Sequence, residues 1–122
     1  MDQRDRSETE EFQLDGLTMN AIETAPNGAV GVHTRFSFHQ SGDRVHADYA
    51  GGRVERGFLV GRVSGSRFEF CYCQRHTDGQ MDSGRSLCEL RRSKDSLLRI
   101  VEHFEWGGGT GTNIIQELRD GP

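Results

Sequence analysis

The sequence predicts an all-β protein: an eight-stranded antiparallel up-and-down β-barrel behind a disordered acidic N-terminal tail. Three observations carry this reading. Glycine is abundant and proline scarce, at 16 and 2 of 122 residues. That balance suits tight reversals between strands, where glycine reaches positive φ at no steric cost. Turn signals recur at short intervals: Pro26-Asn27-Gly28, Ser41-Gly42-Asp43, Gly51-Gly52, Ser64-Gly65-Ser66, Asp78-Gly79, Ser93-Lys94-Asp95 and Gly107-Gly108-Gly109. These are the dipeptides that hairpins require. Between them, apolar residues alternate with polar ones, the strand period rather than the helical one.

The turns leave runs over residues 17–24, 30–40, 44–50, 53–63, 67–77, 81–91, 96–106 and 111–119. The first lies between the acidic segment and the turn at Pro26. In the second, Val30, Val32, Thr34, Phe36 and Phe38 share one face, opposite Gly31, His33, Arg35, Ser37 and His39. The third, between two glycine turns, carries Tyr49. The fourth can be read in two parities. We take Gly57, Leu59, Gly61 and Val63 as inward, where two glycines would hollow the wall, over Arg56, Phe58, Val60 and Arg62. The fifth sets Phe68, Phe70 and Tyr72 against Glu69, Cys71 and Cys73, and the sixth is read with Gly84, Ser86, Cys88 and Leu90 inward over Arg85, Leu87 and Glu89. The seventh has a faint helical look from Arg91 to His103, yet Leu98, Ile100, Phe104 and Trp106 alternate with Arg99, His103 and Glu105. The eighth closes the set. One apolar and one polar face is the mark of an antiparallel sheet around one core, and closure removes the exposed edges. A two-sheet sandwich would need a long crossover, and no stretch of sequence supplies one. Residues 1–13 are the tail and residues 14–122 a single barrel domain.

Charge and composition exclude several functions. The net charge is −4, of which Met1 to Phe12 holds −3. The nearly neutral remainder has no clustered basic face, which argues against nucleic acid as a partner. No apolar run approaches the ~18 residues of a membrane-spanning helix, so no membrane is expected. The start lacks an apolar signal region, and three cysteines make an odd count, so reduced thiols and a cytoplasmic location are expected. A homodimer is compatible with this reading.

Chemistry is sought on the inward parity. Glu102 interrupts the apolar face of the seventh run, and a buried carboxyl is costly unless hydrogen-bonded, with a pKa that tends to rise. Its expected neighbours are Tyr49, Tyr72, Gln74, His76 and Thr34. With Phe36, Phe38, Phe70, Ser86, Phe104 and Trp106, these form the predicted ligand-contacting set. Bland roles compete with each: a structural hydrogen-bond network for Glu102, core packing for the two tyrosines, a solvated rim for His76, and a barrel floor for Trp106. Other constellations are weaker. Cys71-x-Cys73 with Cys88, His76 and His103 lacks the turn-borne Cys-x2-Cys spacing of structural zinc. The outward thiols have no adjacent base for nucleophilic chemistry. The Gly107-Gly108-Gly109-Thr110-Gly111 stretch lacks the ending and the helix of a phosphate loop. No metal and no cofactor is expected.

The motifs Phe38-His39-Gln40-x-Gly42-Asp43, Val45-x-Ala47-x-Tyr49-x-Gly51-Gly52, Gly57-x-Leu59-x-Gly61-x-Val63, Phe70-x-Tyr72, Thr77-Asp78-Gly79 and Glu102-x-x-x-Trp106 resemble those of a family of small bacterial proteins. Members often carry the label N-acetylglutamate synthase. The resemblance covers Leu14 to Glu117. That activity requires an acetyl-CoA-binding α/β fold, and this chain has no helix to build one, so the resemblance implies the barrel rather than the label. The chain departs from the family at Cys71 and Cys73, where polar or aromatic residues are usual. In shape the barrel looks like the avidin and lipocalin (calycin) barrels, by architecture rather than by shared motif.

An eight-stranded barrel has room for packed side chains or one small ligand. The leading expectation is a binding barrel for a small hydrophobic or aromatic ligand, with a mostly apolar lumen and a few polar anchors. The alternative is a cofactor-free cyclase or isomerase of specialised, polyketide- or terpene-like metabolism. There Glu102 would act as acid/base while Tyr49 or Tyr72 steadies an enol or carbonyl oxygen. A third possibility is an interaction module that uses the acidic tail and needs nothing from the lumen.

Overall fold

A computed structural model describes residues 12–106 and 109–118; the side chain of Trp106 and the acidic segment 1–11 lie outside the described residues. Eight strands form: β1 (Thr18–Glu23), β2 (Arg35–Ser41), β3 (Arg44–Gly51), β4 (Val54–Ser64), β5 (Arg67–His76), β6 (Met81–Arg92), β7 (Leu98–Trp106) and β8 (Gly109–Glu117). Each pairs antiparallel with its sequence neighbour, and β8 returns to β1, so the barrel closes in simple up-and-down order. This order is cheap in loop entropy, since every pairing except β1 with β8 joins strands that are neighbours in sequence. Gly42 and Gly65, each with φ of 62°, supply the left-handed residue of the β2–β3 and β4–β5 hairpins.

The parity chosen for the two ambiguous strands is the one observed. In β4, Gly57 and Leu59 are buried while Phe58 and Val60 are 49% and 68% exposed. A bulge between Val54 and Arg56 restores an inward side chain at Val54. In β6, Ser86, Cys88 and Leu90 are buried and Leu87 is 55% exposed.

One strand differs from expectation. Residues 24–34 form a loop rather than the first half of β2, and Val32, expected inward, is 54% exposed. The β1–β2 ladder runs only from Thr18↔Ser37 to Asn20↔Arg35, so these residues have no strand to pair with. Thr34 instead closes a local turn. Its hydroxyl accepts from the Gly31 N–H at 3.0 Å and donates to the Gly51 carbonyl at 2.9 Å, a side-chain bond that competes with the ladder.

The lumen has two unlike ends. At the end carrying the β2–β3, β4–β5 and β6–β7 turns, Phe12 and Leu14 are buried with Phe38, Phe68, Leu90 and Leu98. The segment is fastened there by Gly16 N–H to the Phe38 carbonyl and by Gln40 N–H to Asp15, both at 2.9 Å. The Arg92 guanidinium lies 5.7 Å above the Phe12 ring. Among the described residues apolar packing thus includes Phe12, two residues ahead of the boundary expected at Leu14. The other end lies beneath the loop of residues 24–34.

Candidate functional site

Beneath that loop, four cross-strand pairs set an aromatic ring against a glycine: Tyr49↔Gly57, Phe70↔Gly61, Tyr72↔Gly84 and Phe104↔Gly111. A Cβ at Gly57 would stand 2.4 Å from the Tyr49 ring, and one at Gly111 would stand 2.5 Å from Phe104. The inward glycines therefore do not hollow the wall as expected: the Tyr49 and Phe104 rings fill the space at Gly57 and Gly111, the Tyr72 phenol and the Glu105 carbonyl that at Gly84, and the Glu69 carbonyl and Phe70 Cβ that at Gly61. Laid along the wall, the rings leave a cavity of about 190 Å³. Its walls are Phe36, Tyr49, Leu59, Phe70, Tyr72 and Phe104, and its roof is Asn27, Gly28, Ala29 and Val30. Arg53, His76 and Gln80 flank it where it meets the surface.

Two hydrogen-bonded networks reach this cavity. In the first, the Tyr49 hydroxyl donates to Gln74 Oε1 at 2.9 Å, Gln74 Nε2 donates to Asp82 Oδ1 at 2.9 Å, and His76 Nε2 lies 3.1 Å from Asp82 Oδ2. In the second, Ser86 Oγ donates to Glu102 Oε2 at 2.6 Å and Asn113 Nδ2 donates to Glu102 Oε1 at 3.1 Å. Asn113 Oδ1 in turn accepts the Ala25 N–H at 3.0 Å, tying the buried carboxyl to the start of the roof. The roof is further held by Arg53 to the Gly28 carbonyl at 2.6 Å and by Asn27 to the Thr110 carbonyl at 3.0 Å.

Burial pushes the Glu102 carboxyl above the ordinary carboxylate range, against the smaller pull of its bonds from Ser86 and Asn113 and of the nearby His103 charge. Burial also raises the phenols of Tyr49 and Tyr72, and the charges of Glu102 and Asp82 raise both further. The cavity therefore sets two phenols kept protonated by burial, with the Gln74 amide and the Glu102 and Asp82 carboxyls, among aromatic walls. Such a surface positions a ligand by hydrogen bonds and shape.

Of the predicted contacts, Phe36, Tyr49, Phe70, Tyr72, Gln74, His76, Glu102 and Phe104 line the cavity. Phe38 does not: it lies one layer deeper, its ring centroid 6.4 Å from that of Phe68, and belongs to the plugged end. Thr34 has its hydroxyl engaged in the loop turn, and Ser86 stands behind Glu102 as its donor. The side chain of Trp106 lies outside the described residues. The thiols do not converge, since Cys71 and Cys73 are exposed and Cys88 is buried. Sequence reasoning missed Asp82, Asn113, Arg53 and the roof. Asp82 continues the inward parity of Gly84 and Ser86 by one step. In β8 the adjacent Ile114 and Ile115 conceal the parity that brings Asn113 inward.

The family model of the avidin-like proteins matches residues 12–118. This chain belongs to that family. No curated protein and no solved structure matches it. The matched span of this avidin-like protein starts at the buried Phe12 and takes in the plug, the eight strands and the roof. As an avidin-like barrel it has a small-molecule-binding architecture.

Proposed function

We propose that this avidin-like barrel binds a compact ligand of about one ring with a polar end, held under the loop of residues 24–34. The observation that carries this is the cavity itself. At about 190 Å³ it is somewhat larger than the ~150 Å³ apolar cavity that accepts benzene, and well below the ~300 Å³ at which drug-sized pockets begin. Aromatic faces would take the ring by edge or stacked contact. Gln74 keeps a second amide proton beyond its bond to Asp82, and Tyr49 keeps hydroxyl lone pairs, so both can serve the ligand's polar end.

The second reading is a cofactor-independent cyclase or isomerase with Glu102 as acid/base. It is favoured by the placement of that carboxyl on the cavity wall among two phenols. Binding is the stronger reading because both oxygens of Glu102 are already engaged by Ser86 and Asn113.

A saturation-transfer NMR screen with phenol, benzyl alcohol, benzylamine and benzoate tests the proposal. Signals are expected from single-ring compounds, with loss when Ala29→Phe fills the roof side and weakening when Gln74→Leu breaks the first network. Silence across the set, or binding that survives Ala29→Phe, would overturn it. Glu102→Gln separates the two readings: retained binding is expected, whereas loss of turnover of an unsaturated ligand with binding intact would establish catalysis.

A further inference from the structure

On the outer wall, the β2–β3 ladder sets His39 directly opposite His46. Their rings are stacked, with centroids 4.9 Å apart and planes 20° from parallel. Both residues are exposed. His76 and His103, by contrast, meet Asp82 and Thr112; no hydrogen bond to a described residue engages a nitrogen of His39 or His46.

The strand register fixes this pair firmly. Its neighbours in the ladder, Phe38↔Ala47 and Gln40↔Val45, carry the buried side chains of Phe38, Ala47 and Val45. A one-residue slip would turn those side chains out to solvent, so the register is strongly specified. Two imidazole nitrogens on one ion, each at about 2.0–2.1 Å, stand roughly 3 Å apart in a cis arrangement. Rings already within 5 Å of each other reach that separation by side-chain rotation alone, with no movement of the backbone.

We propose that His39 and His46 form a two-histidine chelate for a borderline divalent transition-metal ion of the nickel, copper and zinc class. Neutral imidazole favours these ions over magnesium and calcium, which take oxygen ligands. Among the described residues no group of three or more His, Cys, Asp or Glu side chains could hold an ion. Water therefore fills the remaining positions, and the site is open and exchangeable rather than a closed structural centre. Asp48 and Arg44, two residues to either side of His46, share its face with opposite charges, so the ion meets little net field. The two histidines are held together only when β2 and β3 are paired, so the ion binds the folded chain in preference to the unfolded one and stabilises it. The site lies outside the barrel and does not depend on the lumenal ligand.

The test uses the full chain carrying Cys71→Ser and Cys73→Ser, which removes the exposed thiols as competing ligands. Nickel and zinc are expected to bind one per chain and to raise Tm, while magnesium shifts nothing. His39→Gln or His46→Gln each should weaken nickel binding at least tenfold, and His103→Gln should leave it unchanged. Nickel affinity in the His39→Gln or His46→Gln variant equal to that of the parent, or the same Tm shift with magnesium, overturns the proposal. The electron paramagnetic resonance spectrum of the copper-loaded protein should show two coordinated nitrogens that fall to one in either variant. One or none in the parent overturns it as well.

Discussion

Replacing Gly57 by alanine tests whether the rings lying on glycines form the layer that shapes the cavity. Gly57 has no left-handed backbone requirement, so alanine by itself would stabilise the strand by about 0.5–1 kcal/mol through the unfolded chain. The new Cβ, however, would stand 2.4 Å from both Cε2 and Cζ of Tyr49. That ring is restrained, stacked on Phe36 at 4.6 Å and bonded through its hydroxyl to Gln74 at 2.9 Å. Displacing it costs about 1–3 kcal/mol of overpacking and about 1 kcal/mol for the hydrogen bond. The opposing effects leave a net loss of about 2 kcal/mol, a fall in Tm of roughly 8 °C for a domain of this size. Denaturant unfolding of Gly57→Ala, Tyr49→Leu and the double variant gives the answer as a thermodynamic cycle. Without the Tyr49 ring, Gly57→Ala should become neutral or stabilising, a coupling of about 2 kcal/mol. A single variant within about 0.5 kcal/mol of the parent, or the same cost in both backgrounds, would refute the layer.

Three further outcomes follow from the same geometry. Burial holds the Glu102 pKa above its unfolded value, so above about pH 4.3 the unfolded chain ionises first and stability falls as pH rises. Glu102→Gln has no proton to lose and should remove that slope; stability profiles parallel to the parent between about pH 4 and 8 would contradict the assignment. Asn113→Ala leaves the Ala25 N–H and one Glu102 oxygen without partners in buried surroundings, at about 1–3 kcal/mol each. Urea titration should show a loss of about 3 kcal/mol, with amide exchange accelerated in residues 25–31 more than in β5; uniform acceleration would count against a roof held by Asn113. Native protein should react with a disulfide reagent at Cys71 and Cys73 only, because Cys88 is buried and its thiol is pushed up by burial and by Glu102. Rapid reaction of all three thiols would contradict its inward placement.

The barrel was legible because alternation and turn chemistry agree along most of the chain. Phe68, Phe70 and Tyr72 stand against Glu69, Cys71 and Cys73, and the turns at Gly42, Gly65 and Asp78-Gly79 fall where the strands end. Alternation misled at Val30 and Val32, where the period continues but a strand partner is missing. Pairing is a long-range property, and β1 is too short to provide it. Half of the site was legible for the same reason: Glu102 stands out as a carboxyl on an apolar face. Asp82 and Asn113 are the residues that satisfy polar neighbours, and a satisfied partner is visible only once the register is known. Glycine was misjudged because a missing side chain leaves space that the facing residue can occupy. The rings opposite Gly57 and Gly61 are set by cross-strand pairing and not by local sequence.

Register also explains why one barrel has a packed end and an open one. At the plugged end the inward residues are bulky and apolar, and Phe12 and Leu14 add to them. At the other end several inward residues come as cross-strand pairs of two kinds. Ring pairs with glycine, as in Tyr72↔Gly84, and polar pairs with polar, as in Gln74↔Asp82 and Glu102↔Asn113. The first kind keeps volume off the axis of the lumen. The second gives each buried polar group a partner before any ligand arrives, so its placement is settled in advance and little ordering remains to oppose binding. A carboxyl held by two donors in this way suits the proposed binding role better than that of a free base. The pKa rise at Glu102 is then a stability loss, which the proposed binding role would explain.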